Sequence, residues 1–303
     1  MKIAVVGSYG AGLTMRVPRV PVAGETLSGG QFASGHGGKG SNQAVAAARL
    51  GAEVSFLTAV GADQFGAAAR DLWAAEGVDA TGVRTTEAAT MVGVILVESD
   101  GENRIVIAPG ALDTLTPADV EGFADRIAAA DLTVVCLEIP LPVALAALRV
   151  AHERGVPTLL NPAPAVPLPD EAWQWIDVLT PNASEARVLA GLDPDDPTTG
   201  DDLIDLLRTR YAGTVVLTQG AEGALVDVAG RRSRVAPVPV PRVVDTTGAG
   251  DAFTGALAVA LARGDELTEA VRYAAAAGAH AVGVAEVIPA LPGPDDVAAL
   301  LRK

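Results

Sequence analysis

The sequence predicts an α/β fold: a mostly parallel sheet covered by helices on both faces. Three observations predict it. From residue 117 onward, short apolar runs of strand length alternate with helical stretches across short connections. Runs such as Lys2–Gly7 and Leu132–Leu137 are apolar at nearly every position rather than at alternate ones, as strands buried on both faces must be. Half of the 303 residues are hydrophobic and 19% are charged, which suffices for a large core and excludes a disordered chain.

Taken in order, Lys2–Gly7 reads as the first buried strand. Leu13–Val20 and Gln31–Ser34 are more polar and flanked by Pro and Gly, so they read as edge or lid strands. Ser41–Leu50 is an Ala-rich helix stopped by Gly51. Val54–Ala59 is a strand and Gln64–Glu76 a helix ending at Gly77. Met91–Glu98 and Arg104–Ala108 flank Ser99-Asp100-Gly101-Glu102-Asn103, which has hairpin-turn chemistry. Pro117–Ala129, Val143–Glu153, Ala183–Ala190 and Asp201–Arg210 read as helices. Leu132–Leu137, Thr158–Leu160, Val178–Thr180 and Val215–Thr218 read as strands among them. Ala224–Val228 and Arg234–Val238 read as antiparallel strands, and Ala249–Ala262 and Leu267–Val282 as closing helices. In such a sheet, ligands bind beyond the carboxyl ends of the strands.

Composition excludes several functions. With 22 Lys+Arg against 37 Asp+Glu the net charge is −15, the wrong sign for a nucleic-acid or anionic-membrane binder. No uninterrupted apolar stretch approaches the ~18 residues of a membrane span, and no basic-then-apolar leader opens the chain. A soluble, cytoplasmic protein is expected. The lone Cys136 sits in a strand-like run and reads as buried. Of the three histidines, His36 neighbours a glycine cluster, His152 reads as a surface helix residue and His280 as packing, so no zinc site is expected. Only three of the 22 basic residues are lysines, and the one away from the termini, Lys39, lies inside that glycine cluster.

Five segments carry chemistry. Gly7-Ser8-Tyr9-Gly10-Ala11-Gly12 follows the first strand, but its spacing and the extended residues after it do not match a dinucleotide fingerprint. Gly37-Gly38-Lys39-Gly40-Ser41 is not a P-loop, which requires glycine at position 33 and serine or threonine at position 40, where the chain has Ala33 and Gly40. It opens a helix where Lys39 and Asn42 can offer donors to the hydroxyls of a small polar ligand. Val244–Phe253 is the strongest signal. A strand-like segment runs into Gly248-Ala249-Gly250, whose successive N–H groups at a helix start form an anion hole, with Asp251 in the first turn. An anion hole beside a carboxylate suits phosphoryl transfer: donors absorb charge on the phosphoryl oxygens while the carboxylate takes a hydroxyl proton. Asn182 and Glu185 have capping-box spacing and project at a strand's carboxyl end, where Mg2+-bound waters and phosphates would lie. Thr218-Gln219-Gly220-Ala221-Glu222-Gly223 is a turn with room for a nucleotide.

These segments resemble a known family. Gly37-Gly38-Lys39-Gly40-Ser41-Asn42-Gln43-Ala44 is similar to the first signature of the ribokinase (PfkB-type) family of sugar and nucleoside kinases. Asp245-Thr246-Thr247-Gly248-Ala249-Gly250-Asp251 is similar to its second, and Asn182 with Glu185 matches its N-x-x-E pattern. Pro21–Thr26, Leu137-Glu138-Ile139-Pro140 and Asn161-Pro162-Ala163-Pro164-Ala165 extend the likeness along nearly the whole chain. The resemblance implies one doubly wound α/β domain over residues 1–303, with a small strand lid at about residues 9–35 and 87–110. It implies transfer of the γ-phosphoryl group of ATP to a hydroxymethyl group of a pentose or related sugar. Asp251 would be the base and Gly248, Ala249 and Gly250 the anion hole. Gly38, Lys39, Gly40, Ser41, Asn42, Glu138 and Asp251 would hold the sugar, as would the positions of Gly10 and Gly12. Asn182, Thr218, Gln219, Gly220, Ala221, Glu222, Gly223, Gly250 and Ala275 would bind ATP. Glu185 would order Mg2+ through water, and Asp245, Thr247, Ala281, Val284, Glu286 and Ala290 would surround a monovalent cation such as K+. A homodimer through the lid strands is also implied.

The departures from the pattern are informative. Ribose-specific members carry an Asn and an Asp where this chain has Gly10 and Gly12, and a further Asn where it has Leu112. A site built to pair a hydroxyl discriminates strongly, so the expected substrate is not ribose held in the usual way. Glu286 and Ala290 replace a usual glycine and serine in the cation loop. The alternative is a nucleoside kinase of the same family, for which Tyr9 and Phe32 are the candidates to face a base. A third reading is a sugar-binding regulator without catalysis.

Overall fold

The computed structural model describes residues 1–99 and 102–302, so Asp100 and Gly101 of the predicted hairpin turn lie outside the described residues. The chain begins β1 (Lys2–Val6), β2 (Gly10–Arg16), β3 (Gln31–Gly37), α1 (Lys39–Arg49), β4 (Glu53–Leu57), β5 (Ala59–Gly61) and α2 (Gln64–Ala75). It continues through β6 (Arg84–Thr86), β7 (Val92–Val97), β8 (Asn103–Ala108), α3 (Pro117–Ala128), β9 (Leu132–Cys136), α4 (Leu141–Glu153), β10 (Thr158–Asn161) and β11 (Val178–Leu179). Then come α5 (Ala183–Leu189), α6 (Gly200–Arg208), β12 (Thr214–Thr218), β13 (Ala224–Val228), β14 (Arg231–Val235), α7 (Ala249–Arg263), α8 (Leu267–Ala281), α9 (Val287–Ala290) and α10 (Pro294–Leu301).

Eight strands form the main sheet in the order β14-β13-β12-β11-β10-β9-β1-β4. From β4 to β12 the neighbours are parallel, and β13 and β14 add an antiparallel edge. Alternation along β1 sorts the core. Ile3 and Val5 pack on one side with α1, α2, α7 and α8, while Ala4 and Val6 pack on the other with α3, α4, α5 and α6. Cys136 ends β9 fully buried, and burial pushes its thiol up to about 11. Successive chain segments leave β1 toward β4 on one side and β9 on the other. That change of direction opens a crevice above the carboxyl ends of the strands.

A second sheet, β3-β2-β7-β8, holds the weak polar strands of the sequence, and β5-β6 make a third. Among the described residues, no helix is long and apolar enough to cross a membrane. Some boundaries differ from expectation. The second strand ends at Arg16 rather than Val20, because Pro18 cannot donate to a ladder and restricts the residue before it. It begins at Gly10 because the Ala11 N–H bonds to Met91 O at 2.9 Å. The last strand is Arg231–Val235 rather than Arg234–Val238, since Pro237 follows and a tight turn at Ala229-Gly230, both with positive φ, sets the register. The β5-β6 pair, three residues each, was too short to read as periodicity.

Candidate active site

Strands β1, β9, β10, β11 and β12 end on one edge. There a cleft of about 230 Å³ opens between Lys39, Asn161, Asn182, Glu185, Thr218 and the Gly248–Asp251 turn. The turn needs glycine at 248. Its φ of 79° is left-handed, and a Cβ there would stand 2.5 Å from Cγ1 of Val287. The Ala249 N–H makes a 3.3 Å bond to Thr246 O, while the N–H groups of Gly248, Gly250 and Asp251 have no protein acceptor among the described residues. These donors, with the positive end of the fifteen-residue helix α7 behind them, face the cleft as a ready anion site.

Asp251 is 7% exposed. Helix α7 lies against α1 at Gly255, where a Cβ would come within 2.6 Å of the Ala46 Cβ and 2.9 Å of Gln43 O. This close approach, one turn below Asp251, brings two amides onto its carboxylate. Asn42 Nδ2 donates to Oδ2 at 2.8 Å and Gln43 Nε2 to Oδ1 at 3.0 Å. Burial pushes the Asp251 carboxyl up, against the Lys39 ammonium and the two amide bonds, which favour the charged form. Burial works to lower Lys39, but Asp251, Glu138, Cys136 and Glu185 together hold it above its usual value, so it stays an ammonium. Burial likewise raises Glu185, opposed by the Asn182 N–H and by Lys39. The capping box is formed: the Glu185 N–H donates to Asn182 Oδ1 at 2.9 Å, and the Asn182 N–H to Glu185 Oε2 at 2.8 Å.

The other candidate residues fall into three groups. Around α1, Glu138 accepts from Ser8 Oγ at 2.5 Å and from the Lys39 N–H at 3.0 Å. Gly38, with φ 89°, carries the chain from β3 into α1, and Gly40 is buried beside Gly7. Ser41 spends its hydroxyl accepting from Trp73 Nε1 at 2.9 Å and its N–H on Ser8 O at 2.8 Å. At the end of β12, Thr218 lines the cleft, and Gln219–Gly223 forms a single turn closed by a 2.8 Å bond from the Gln219 N–H to Gly223 O. Ala275 lies half-buried in α8. In the loop before α7, Asp245 accepts from the Thr247 N–H at 2.9 Å and the Glu286 N–H at 3.4 Å. Burial works to raise Asp245, but the Thr247 bonds, the Glu286 N–H and the Arg16 guanidinium together outweigh it and keep the group ionised. Ala281 and Ala290 are buried, Val284 is half-buried, and Glu286 adopts a left-handed φ of 66°.

On β2, Gly10 and Gly12 offer no side chain, and the polar residues of the strand are Thr14 and Arg16. A Cβ on Gly10 would lie 2.2 Å from the Met91 methyl, so Met91 fills that space, while Gly12 has nothing nearer than 3.8 Å and Leu112 is buried in the core. Sequence reasoning gave no role to Gln43, Thr180, Thr246, Phe253 or Thr254. Asn161 lay within a quoted motif, also without a role, and its position at the end of β10 was the available signal.

Residues 1–293 match the family described as pfkB family carbohydrate kinase. The ribokinase of Haemophilus influenzae is 38% identical over 281 residues, covering 92% of each chain. The ribokinase of Schizosaccharomyces pombe is 37% identical over 305 residues, covering 96% of each. The solved structure of Arabidopsis thaliana ribokinase complexed with ribose and ATP superposes with a TM-score of 0.89 at 30% identity, covering 100% of this chain and 99% of that one. An unpaired anion site beside a buried acid, on this fold and with this likeness from end to end, has one reading: the chain belongs to the pfkB family of carbohydrate kinases.

Proposed function

We propose that the protein transfers the γ-phosphoryl group of ATP to a hydroxymethyl group of a pentose or related sugar, with Asp251 as base. The observation that carries this reading is the set of unpaired N–H groups at Gly248, Gly250 and Asp251 in one cleft with the buried Asp251 carboxylate and the Lys39 ammonium. The acceptor O–H gives its proton to Asp251 as its oxygen bonds to phosphorus, and the bond from phosphorus to the bridging oxygen of ADP breaks. The free amides of Gly248, Gly250 and Asp251 hold the charge on the transferring oxygens, in place of the Ala249 N–H expected from the sequence, which is spent on Thr246 O, and Lys39 adds a cation. Asn182, Thr218 and the turn to Gly223 take the nucleotide, and Ala275 flanks it. ATP as donor is supported by the Arabidopsis thaliana relative, described with ribose and ATP.

Two ions belong to the reading. No group of three His, Cys, Asp or Glu suited to a metal exists among the described residues. The half-buried Glu185, whose cap uses only Oε2, fits an ion that keeps its waters and rests on phosphates. Mg2+ held there would neutralise phosphate charge. The ionised Asp245 carboxylate is a hard oxygen donor of the kind K+ takes.

The acceptor is the least defined part. With glycine at 10 and 12 and Leu112 buried, ribose lacks carboxylate and amide partners at that end, each such charge-assisted bond being worth about 10–150-fold in affinity. ADP release should be measured across pentoses, deoxypentoses, hexoses and nucleosides. The expected result is a sugar other than ribose with the highest kcat/KM, and faster turnover in potassium than in tetramethylammonium. Ribose as the clear best substrate overturns the specificity, and equal rates remove the cation. A nucleoside as best substrate would favour the alternative. Of its two candidates to face a base, Tyr9 is 1% exposed and edge-on to Trp73 at 5.2 Å, which leaves that alternative with Phe32, exposed on β3.

We read residues 1–303 as one cytoplasmic domain whose four-stranded sheet serves as the lid. Phe32, Val94, Ile105, Val106 and Ile107 leave that sheet apolar and exposed, with β8 an open edge. A second copy of the chain covering it explains the pattern. Sedimentation velocity at micromolar concentration should report a dimer that Val106→Glu dissociates, and a monomeric parent would remove this part of the reading.

A further inference from the structure

Gln43 has no task in the reaction as described. It is 1% exposed, sits one residue beyond Asn42 in α1, and does not line the cleft. Its amide nevertheless joins a directed chain of hydrogen bonds. The Thr180 carbonyl can only accept, so Asn161 turns Nδ2 to it at 3.2 Å and presents Oδ1 to its other neighbour. Gln43 must answer with Nε2, at 3.0 Å, and the same nitrogen donates to Oδ1 of Asp251 at 3.0 Å. The other end of the amide, Oε1, is buried without any partner. A residue kept only for packing would not carry an unpaired buried oxygen there, since methionine fills the same volume without one.

We infer that Gln43 is the positioning residue of the base. The chain Thr180–Asn161–Gln43 holds Oδ1 of Asp251 as an acceptor and reserves Oδ2 for the proton of the sugar hydroxyl. Asn42, on Oδ2 at 2.8 Å and with its own Oδ1 unpartnered, is the group that yields as the acceptor arrives. This rests on Asp251 being the base. The charged and titratable groups facing that carboxylate are Lys39 from α1, Cys136 and Glu138 at the end of β9, and Glu185 from α5. Lys39 acts with Gln43 in favouring the ionised form, and the two glutamates act against it.

The test uses the full chain with Gln43→Met and Gln43→Glu. Gln43→Met should lower kcat about 10- to 100-fold, move the acidic limb of the kcat profile up by about one pH unit, and leave both KM values within about threefold. Gln43→Glu, which sets a second carboxylate against Oδ1, should move the limb further in the same direction. An unchanged limb with kcat within twofold of the parent overturns the inference, whatever happens to the melting temperature. Should Gln43→Met fail to fold, Asn161→Ala frees the Gln43 amide to turn and should shift the limb upward by a smaller amount; no shift overturns it equally. Carboxyl 13C titration of aspartate-labelled protein, with Asp251→Asn assigning the signal, reads the same shift without turnover. An inactive parent would therefore sink the kinase reading and still leave Gln43 decided.

Discussion

Asp251→Asn is expected to lower kcat about 1,000-fold while nucleotide binding persists, because the amide keeps the shape of the side chain but cannot take a proton. Positioned general bases contribute about 100- to 10,000-fold, and the role proposed for Asp251 places the expected loss in the middle of that range. Its pH behaviour follows from the same burial. The folded pKa is raised, so the base is protonated and idle at acid pH, and kcat should rise along a limb displaced above the ordinary carboxylate range. The raised value also means that Asp251 favours folding below its unfolded pKa, and that this contribution fades as pH climbs through the folded one. At pH 7 to 8 the asparagine variant should melt no lower than the parent, although it is nearly inactive. Coupled ADP-release kinetics and a thermal melt check both halves. Activity above a tenth of the parent would show that the proton goes elsewhere.

The second large effect concerns backbone alone. Gly248→Val places a β-branched residue at a left-handed φ of 79° and a Cβ 2.5 Å from the Val287 side chain. Relief requires the turn to rotate, and rotation turns the N–H groups of Gly248 and Gly250 off the cleft. Losing one such donor costs about 100- to 1,000-fold in other enzymes, and about 100-fold or more in kcat is expected here. Gly264→Ala is the control. It sits at the other end of α7 with φ 86° and nothing within 4 Å of its Cβ, so it carries the strain of a left-handed φ without a clash and without touching the cleft. Gly264→Ala should lower stability by about 1 kcal/mol and leave kcat unchanged. Equal losses of kcat in both variants would mean that helix stability, not amide direction, is what the glycine at 248 provides.

Some of the site was legible because it is local. Gly248-Ala249-Gly250-Asp251 is contiguous, and the geometry of a glycine turn entering a helix follows from short-range sterics. The Asn182–Glu185 box is likewise a four-residue matter. The parallel sheet was readable because strands buried on both faces must be apolar throughout, as β1 and β9 are. Edges were less readable. The second strand and the last one shifted by about three residues, because ladder partners and neighbouring prolines set their ends rather than hydrophobic period.

By itself, then, the sequence determined the fold class, the anion turn and the acid beside it, since each depends on residues a few positions apart or on a repeating pattern. Only the tertiary structure decided who holds that acid. Gln43 and Asn161 are 118 positions apart, and Gln43 and Asp251 are 208 apart, so their meeting depends on how closely α1 and α7 pack at Gly255. It also decided that the Ser41 hydroxyl goes to Trp73 and that Met91 occupies the space a side chain at position 10 would need. Polar groups take partners from whatever the packing brings within about 3 Å, and no spacing along the chain encodes that.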